Sequence, residues 1–128
     1  MLRRLITYRF TYHSSRFTPM TTLQQAGKES DLAGTVAPAD DLRLVEALCR
    51  GDEAAFVSLV NAHHASMLRL AMIFVPDQAV AEEVVQEAWL GVLRGLARFE
   101  GRSSLKTWIF RILTNTAKTR GQRERRSV

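Results

Sequence analysis

Three short interruptions divide residues 40–120 into four segments of helical period, and that division constrains the fold more than any other feature of the chain. The interruptions are Gly51-Asp52, Pro76-Asp77 and Gly101-Arg102-Ser103-Ser104. Glycine supplies the left-handed backbone that ends helices, and proline cannot continue one. Asp or Ser then accepts from the unpaired backbone N–H groups that open the next. Between the interruptions, apolar side chains recur at three- and four-residue spacing. Phe56, Leu59, Val60, Met67, Leu70, Ala71 and Phe74, joined by His63, mark one face of the second segment. Ala81, Val84, Val85, Ala88, Val92 and Leu96 mark the third, and Leu105, Trp108, Ile109, Ile112 and Thr116 the fourth. The spacing predicts a first helix capped by Asp40 or Asp41 and stopped at Gly51. It predicts a second helix from Asp52 to Pro76, a third over 78–96, and a fourth from Ser103 or Ser104 to about Arg120, where Gly121 ends it. The expected fold is all-α, a compact four-helix domain over 39–121 with short loops between antiparallel neighbours.

The flanks lack such periodicity. Residues 1–38 are basic, rich in Ser and Thr, and read as a flexible extension. Their Arg-rich, acid-poor character loosely imitates a transit peptide, and Met20 offers an alternative translation start. Residues 122–128, GQRERRSV from Gly121 onward, hold no apolar side chain before Val128 and read as the start of a linker. No apolar run approaches the roughly 18 residues of a membrane span, so no membrane partner is expected. The single cysteine, Cys49, rules out an internal disulfide and fits a reducing compartment such as the cytoplasm.

Charge is segregated. Residues 1–28 carry five basic side chains and no acid, residues 29–100 five basic and twelve acidic, and residues 101–128 eight basic and one acidic. A basic end suits nucleic acid, and an acidic middle suits a basic protein surface. On a helical wheel centred on Leu105, the inner positions Trp108, Ile109, Ile112 and Thr116 lie within about 60°. Periodicity therefore puts Trp108 in the core rather than among residues free to stack on bases. Thr107, Phe110, Arg111, Thr114 and Lys118 fall opposite, with Asn115 at the boundary. Cations neutralise phosphates, uncharged polar groups reach base edges, and aromatics stack on unpaired bases. On the third helix, Glu83, Gln86, Glu87 and Leu90 form an acidic row with an apolar edge. Such a row is either a docking face for a basic helix or an ordinary solvated surface.

No catalytic constellation is present. There is no Gly-rich phosphate loop, HExxH, CxxC or Ser/His/Asp grouping, and Glu82-Glu83 are neighbours on an exposed helix rather than a facing pair. The adjacent His63 and His64 diverge by about 100° on a helix, which does not make a metal site. No cofactor is implied, and an enzyme is not expected.

The segments AEEVVQEA (81–88), the R-F-x-G turn (98–101) and TWIFRILTNTAK (107–118), in this order and spacing, resemble domain 2 of extracytoplasmic-function (ECF) sigma factors. The likeness runs from about Asp41 to Arg126. It implies that the third helix binds the clamp helices of the largest subunit of core RNA polymerase through Glu83, Gln86, Glu87 and Leu90. It implies that the loop 98–104 and the helix 105–120 recognise and melt the promoter −10 element and hold a flipped base of the non-template strand. Arg102, Ser103, Lys106, Arg111, Asn115 and Lys118 are the expected DNA contacts, with Arg111 and Lys118 on phosphates and Asn115 and the loop reading bases. An anti-sigma factor is a further expected partner. The extra melting aromatics of primary sigma factors are absent, as in most of the ECF group. Family members continue into a second domain that reads the −35 element, whereas this sequence stops where the linker begins. The open alternatives are an excised domain, a truncated product, or a single-domain form. Two rival functions follow: a decoy that occupies polymerase or an anti-sigma factor without initiating, and a stand-alone helix-turn-helix repressor. The repressor is disfavoured, since the turn at 98–104 feeds one long helix.

Overall fold

The computed structural model describes residues 37–126. Its elements in chain order are α1 (Ala39–Cys49), α2 (Glu53–Phe74), α3 (Gln78–Gly95), a single 3-10 turn (Leu96–Arg98) and α4 (Leu105–Arg126). The basic stretch 1–36, with Met20, and residues 127–128 lie outside the described residues.

The first two junctions follow the expected chemistry. Gly51, at φ 84°, donates to the Leu48 carbonyl at 3.0 Å, and the Asp52 N–H donates to Ala47 at 3.0 Å. This pair of reversed bonds satisfies the last carbonyls of α1. Asp52 then accepts from the Ala55 N–H at 3.1 Å and caps α2. Val75 is extended, at φ −125° and ψ 158°, the conformation favoured before a proline. Asp77 accepts from the Val80 N–H at 2.9 Å and opens α3.

Helix α3 packs on both α2 and α4. Ala81, Val84, Val85, Ala88, Trp89 and Val92 are its buried side chains. Simple periodicity misses Trp89, which lies about 80° around the wheel from Ala81. It is fully buried because two helices flank α3 and widen the arc they cover. Its ring meets Phe56 edge-to-face, with centroids 5.7 Å apart and planes at 84°, a pairing worth about 0.5–1.5 kcal/mol beyond burial. The indole N–H has no partner among the described residues, at a cost of about 1–3 kcal/mol. Burying roughly 150–250 Å² of ring offsets it with roughly 4–6 kcal/mol.

Four expectations change. Neither Asp40 nor Asp41 caps α1: the helix starts at Ala39 behind Pro38, whose carbonyl takes the first intrahelical bond from the Leu42 N–H. Asp40 pairs with Arg43 on the surface, and Asp41 serves another helix, described below. Ala37 is buried and joins the domain by donating to the Gly101 carbonyl at 2.8 Å, so the packed unit begins before residue 39. The inner row of α4 is Leu105, Ile109, Leu113, Ala117 and Gly121, whereas Ile112 and Thr116 are half-buried. The contact follows a four-residue ridge, which winds slowly around the helix as it crosses its neighbours.

Gly121 does not end α4. The helix continues to Arg126, so residues 122–126 are helical rather than the start of a linker. Gly121 is buried against α2, where a Cβ would overlap the Phe74 carbonyl oxygen. Glycine is used here for close approach of two backbones. At an exposed helical site Gly→Ala stabilises by about 0.5–1 kcal/mol. Gly121→Ala is expected to destabilise instead, by about 1–3 kcal/mol through overpacking, measured as a lowered denaturation midpoint. A stabilised variant would refute the close contact.

Candidate functional site

The loop ahead of α4 is fastened from three sides. Gly101 turns at φ 73°, and its carbonyl holds Ala37. Ser104 accepts from the Thr107 N–H at 3.1 Å, the cap expected of it, and donates to the Thr107 hydroxyl at 2.9 Å. Asp41 accepts from the Leu105 N–H at 2.8 Å across 64 positions of sequence. A carboxylate at this end also meets the positive pole of the α4 dipole. Phe99 meets Trp108 edge-on at 5.2 Å, and Trp108 is half-buried at the core's edge, packed close to Gly95. Thus Asp41, on α1, sets the start of α4; its side chain gives no local signal for this.

Of the expected DNA residues, three share one concavity. Lys106, Arg111 and Asn115 line a groove of about 510 Å³ with Thr107, Phe110 and Thr114, all from α4. Phe110, expected on the outward face, is half-buried and forms the apolar wall. His63 of α2 supports it edge-on, with centroids 6.0 Å apart, and the Lys106 ammonium lies 5.8 Å from its ring centre. The Thr114 hydroxyl is committed to the Phe110 carbonyl at 2.8 Å, and Thr107 to Ser104. Arg111 and Asn115 are exposed at the groove. A flat apolar wall beside a cation and an amide suits an unstacked base and its phosphate. Lys118 is exposed further along α4, and Arg102 is exposed in the loop, where it pairs with Glu100 at 2.9 Å. Ser103 is different: it is buried, with its hydroxyl donating to the Ser104 carbonyl at 3.1 Å.

The acidic row of α3 faces away from its buried side. Glu83 and Glu87 are exposed, and Gln86 and Leu90 are half-buried. Glu83 is not isolated. Arg120 of α4 reaches it at 2.6 Å and also binds Glu124 at 2.9 Å. Glu87 shares a second depression, of about 260 Å³, with Asn115, Thr116, Thr119, Arg120 and Arg123. The two candidate faces therefore meet along the α3–α4 seam. Arg120 carried no motif signal, and only the packing of these helices brings it to Glu83.

A family model described as Sigma-70 region 2 matches residues 59–127. The chain is 44% identical over 78 residues to the RNA polymerase sigma-H factor of Pseudomonas aeruginosa. It is 41% identical over 78 residues to the ECF RNA polymerase sigma-E factor of Escherichia coli, and 40% over 78 residues to that of Salmonella typhimurium. Each match covers 61% of this chain and 40% of the relative, so the chain spans about two fifths of the length of the relatives it matches.

Burial behind Phe110 has a consequence for pH. Desolvation, with a smaller push from the Lys106 charge and an opposing pull from Asp41, lowers the His63 pKa from 6.5 to about 4. Below pH 6.5 the unfolded chain takes up a proton that the native imidazole refuses until about pH 4. This contribution to stability is therefore whole above pH 6.5 and is lost as pH falls towards 4, on the order of 2 kcal/mol. Denaturant melts at pH 7 and pH 4.5 are expected to show a smaller acid loss for His63→Gln than for the unsubstituted chain. Equal losses would mean that the imidazole is not held neutral.

Proposed function

This chain belongs to the sigma-70 region 2 family, and from that premise we propose that it docks on core RNA polymerase through α3 and holds the promoter −10 element through α4. The observation that carries the reading is the pairing of rows on adjoining helices. Carboxylates and an amide line the exposed side of α3, and cations with an amide line the exposed side of α4. The first row complements a basic helical surface, for which the clamp helices of the polymerase's largest subunit are the proposed partner. The second row neutralises phosphates while the Phe110 groove takes a base from the melted non-template strand. Unstacking that base costs a few kcal/mol, which the contacts in the groove offset. Arg102, Lys106, Arg111, Asn115 and Lys118 are the proposed DNA contacts. Ser103 acts in this reading by shaping the loop, since its hydroxyl is spent on Ser104. An anti-sigma factor would silence the module by covering one of the two faces. Work on polymerase places the protein in the cytoplasm.

Two measurements test the two halves separately. Gln86→Ala combined with Glu87→Lys is expected to reduce affinity for core RNA polymerase by about 100-fold or more, because it sets a like charge against a basic partner. Helix content should be unchanged, as neither side chain is a core residue. Retained affinity would remove α3 as the docking face. For DNA, Lys118→Gln is expected to flatten the salt dependence of single-stranded −10 binding by about 0.7 in log–log slope, the share of one phosphate contact. A salt-insensitive complex would count against the α4 face.

A further inference from the structure

Arg120 stands where the two candidate faces meet and is committed to both sides of the seam. Its Nη2 donates to Glu83 of α3 at 2.6 Å, and its Nε donates to Glu124, one turn further along α4, at 2.9 Å. The Arg120 side chain is 24% exposed and that of Glu83 60%. Glu83 therefore keeps most of its surface open to a partner while its charge is already matched from within. The seam does not depend on this pair, since the fully buried Val85, Ala88, Leu113 and Ala117 already join α3 and α4 in one core. An ion pair this exposed is screened by water and contributes little to stability, so it exchanges readily. Glu87, one turn along α3 from Glu83, borders the same depression as Arg120.

Resting on the proposed docking of α3 to core RNA polymerase, we infer that Arg120 sets the affinity and selectivity of that face by competing with the partner's own cation for Glu83. A basic side chain of the partner replaces Nη2 of Arg120 at the Glu83 carboxylate. Arg120 keeps its bond to Glu124 on its own helix, so neither guanidinium nor carboxylate is left without a counter-charge. Because Glu83 is neutralised in the free chain, it exerts little pull on basic surfaces in general. A partner gains from it only by delivering a cation to that point, whereas a basic surface out of register meets Glu87 alone. The internal pair thus lowers affinity for all basic partners and lowers it most for the wrong ones.

The test measures binding of the full chain and its variants to core RNA polymerase, with helix content as the check on folding. Arg120→Gln is expected to tighten binding about two- to five-fold, the worth of one exposed ion pair. In a Glu83→Gln background the same change should have no effect, because nothing is left to compete for. Glu124→Gln is expected to weaken binding, since it leaves Arg120 dependent on Glu83, and to weaken it less once Arg120→Gln is present. Should Arg120→Gln lose helix content, Arg120→Lys takes its place. It keeps the cation but lacks the fork that spans two carboxylates, and should tighten binding less, with the same dependence on Glu83. Unchanged or looser binding by a fully helical Arg120→Gln chain would overturn the inference. So would equal tightening with and without Glu83, which would make Arg120 merely a charge near the row. If the unsubstituted chain does not bind core polymerase, or Gln86→Ala with Glu87→Lys binds as well as it does, the docking of α3 itself fails and this inference with it.

Discussion

The burial of α3 between α2 and α4 is the constraint on which the rest of this structure depends. Trp89, Val85, Ala88 and Val92 are withdrawn from water on two sides, and the edge-on contact of Trp89 with Phe56 ties α3 to the start of α2. Once that side of α3 is committed, Glu83 and Glu87 are left exposed, with Gln86 and Leu90 half-buried beside them. The same packing holds α4 parallel to the seam, so its own outward side becomes a continuous ridge. Both candidate faces are thus what remains after the core has been satisfied.

A second level of control lies in backbone contacts between distant parts of the chain. Asp41 caps a helix that begins 64 residues later, and Ala37 is bonded to the Gly101 turn. These bonds close the loop 99–104 against α1, so Arg102 projects from a fixed frame while Ser103 is drawn inward. At the other end Gly121 lets α4 lie directly on the Phe74 backbone. The exposed face of α4 is pinned at both ends by elements that contribute nothing to its surface chemistry. The groove wall is similar: Phe110 is presented by His63, which stays neutral because it is desolvated.

Arg120 shows how the two faces are joined. By binding Glu83 and Glu124 together it links the acidic row of α3 with the last turns of α4. A basic partner approaching Glu83 must share that carboxylate with an internal guanidinium. Glu87, the neighbouring exposed carboxylate, has no such bond among the described residues, and is the more accessible member of the row.

The helical class, the positions of α2 and α3, and the caps at Asp52, Asp77 and Ser104 were legible in the sequence, because each rests on interactions within four or five residues. So did the outward placement of Glu83, Glu87, Arg111 and Lys118, which follows from the 3.6-residue period alone. Motif resemblance, not periodicity, pointed to what those rows bind. What local patterns could not decide were features set by the angle and closeness of helix crossings. Asp41 looked like a cap for its own helix, Gly121 like a stop, and Ile112 and Thr116 like core, while the apolar period of the third helix did not include Trp89. In each case the local preference was outweighed by a partner far away in the chain. A glycine ends a helix only where nothing rewards continuing it, and an aspartate caps whichever backbone N–H the fold delivers within reach. Sequence determined which helices form and how they are punctuated, since that chemistry is local. Tertiary packing alone decided that α4 runs on past Gly121 and which carboxylate caps its start.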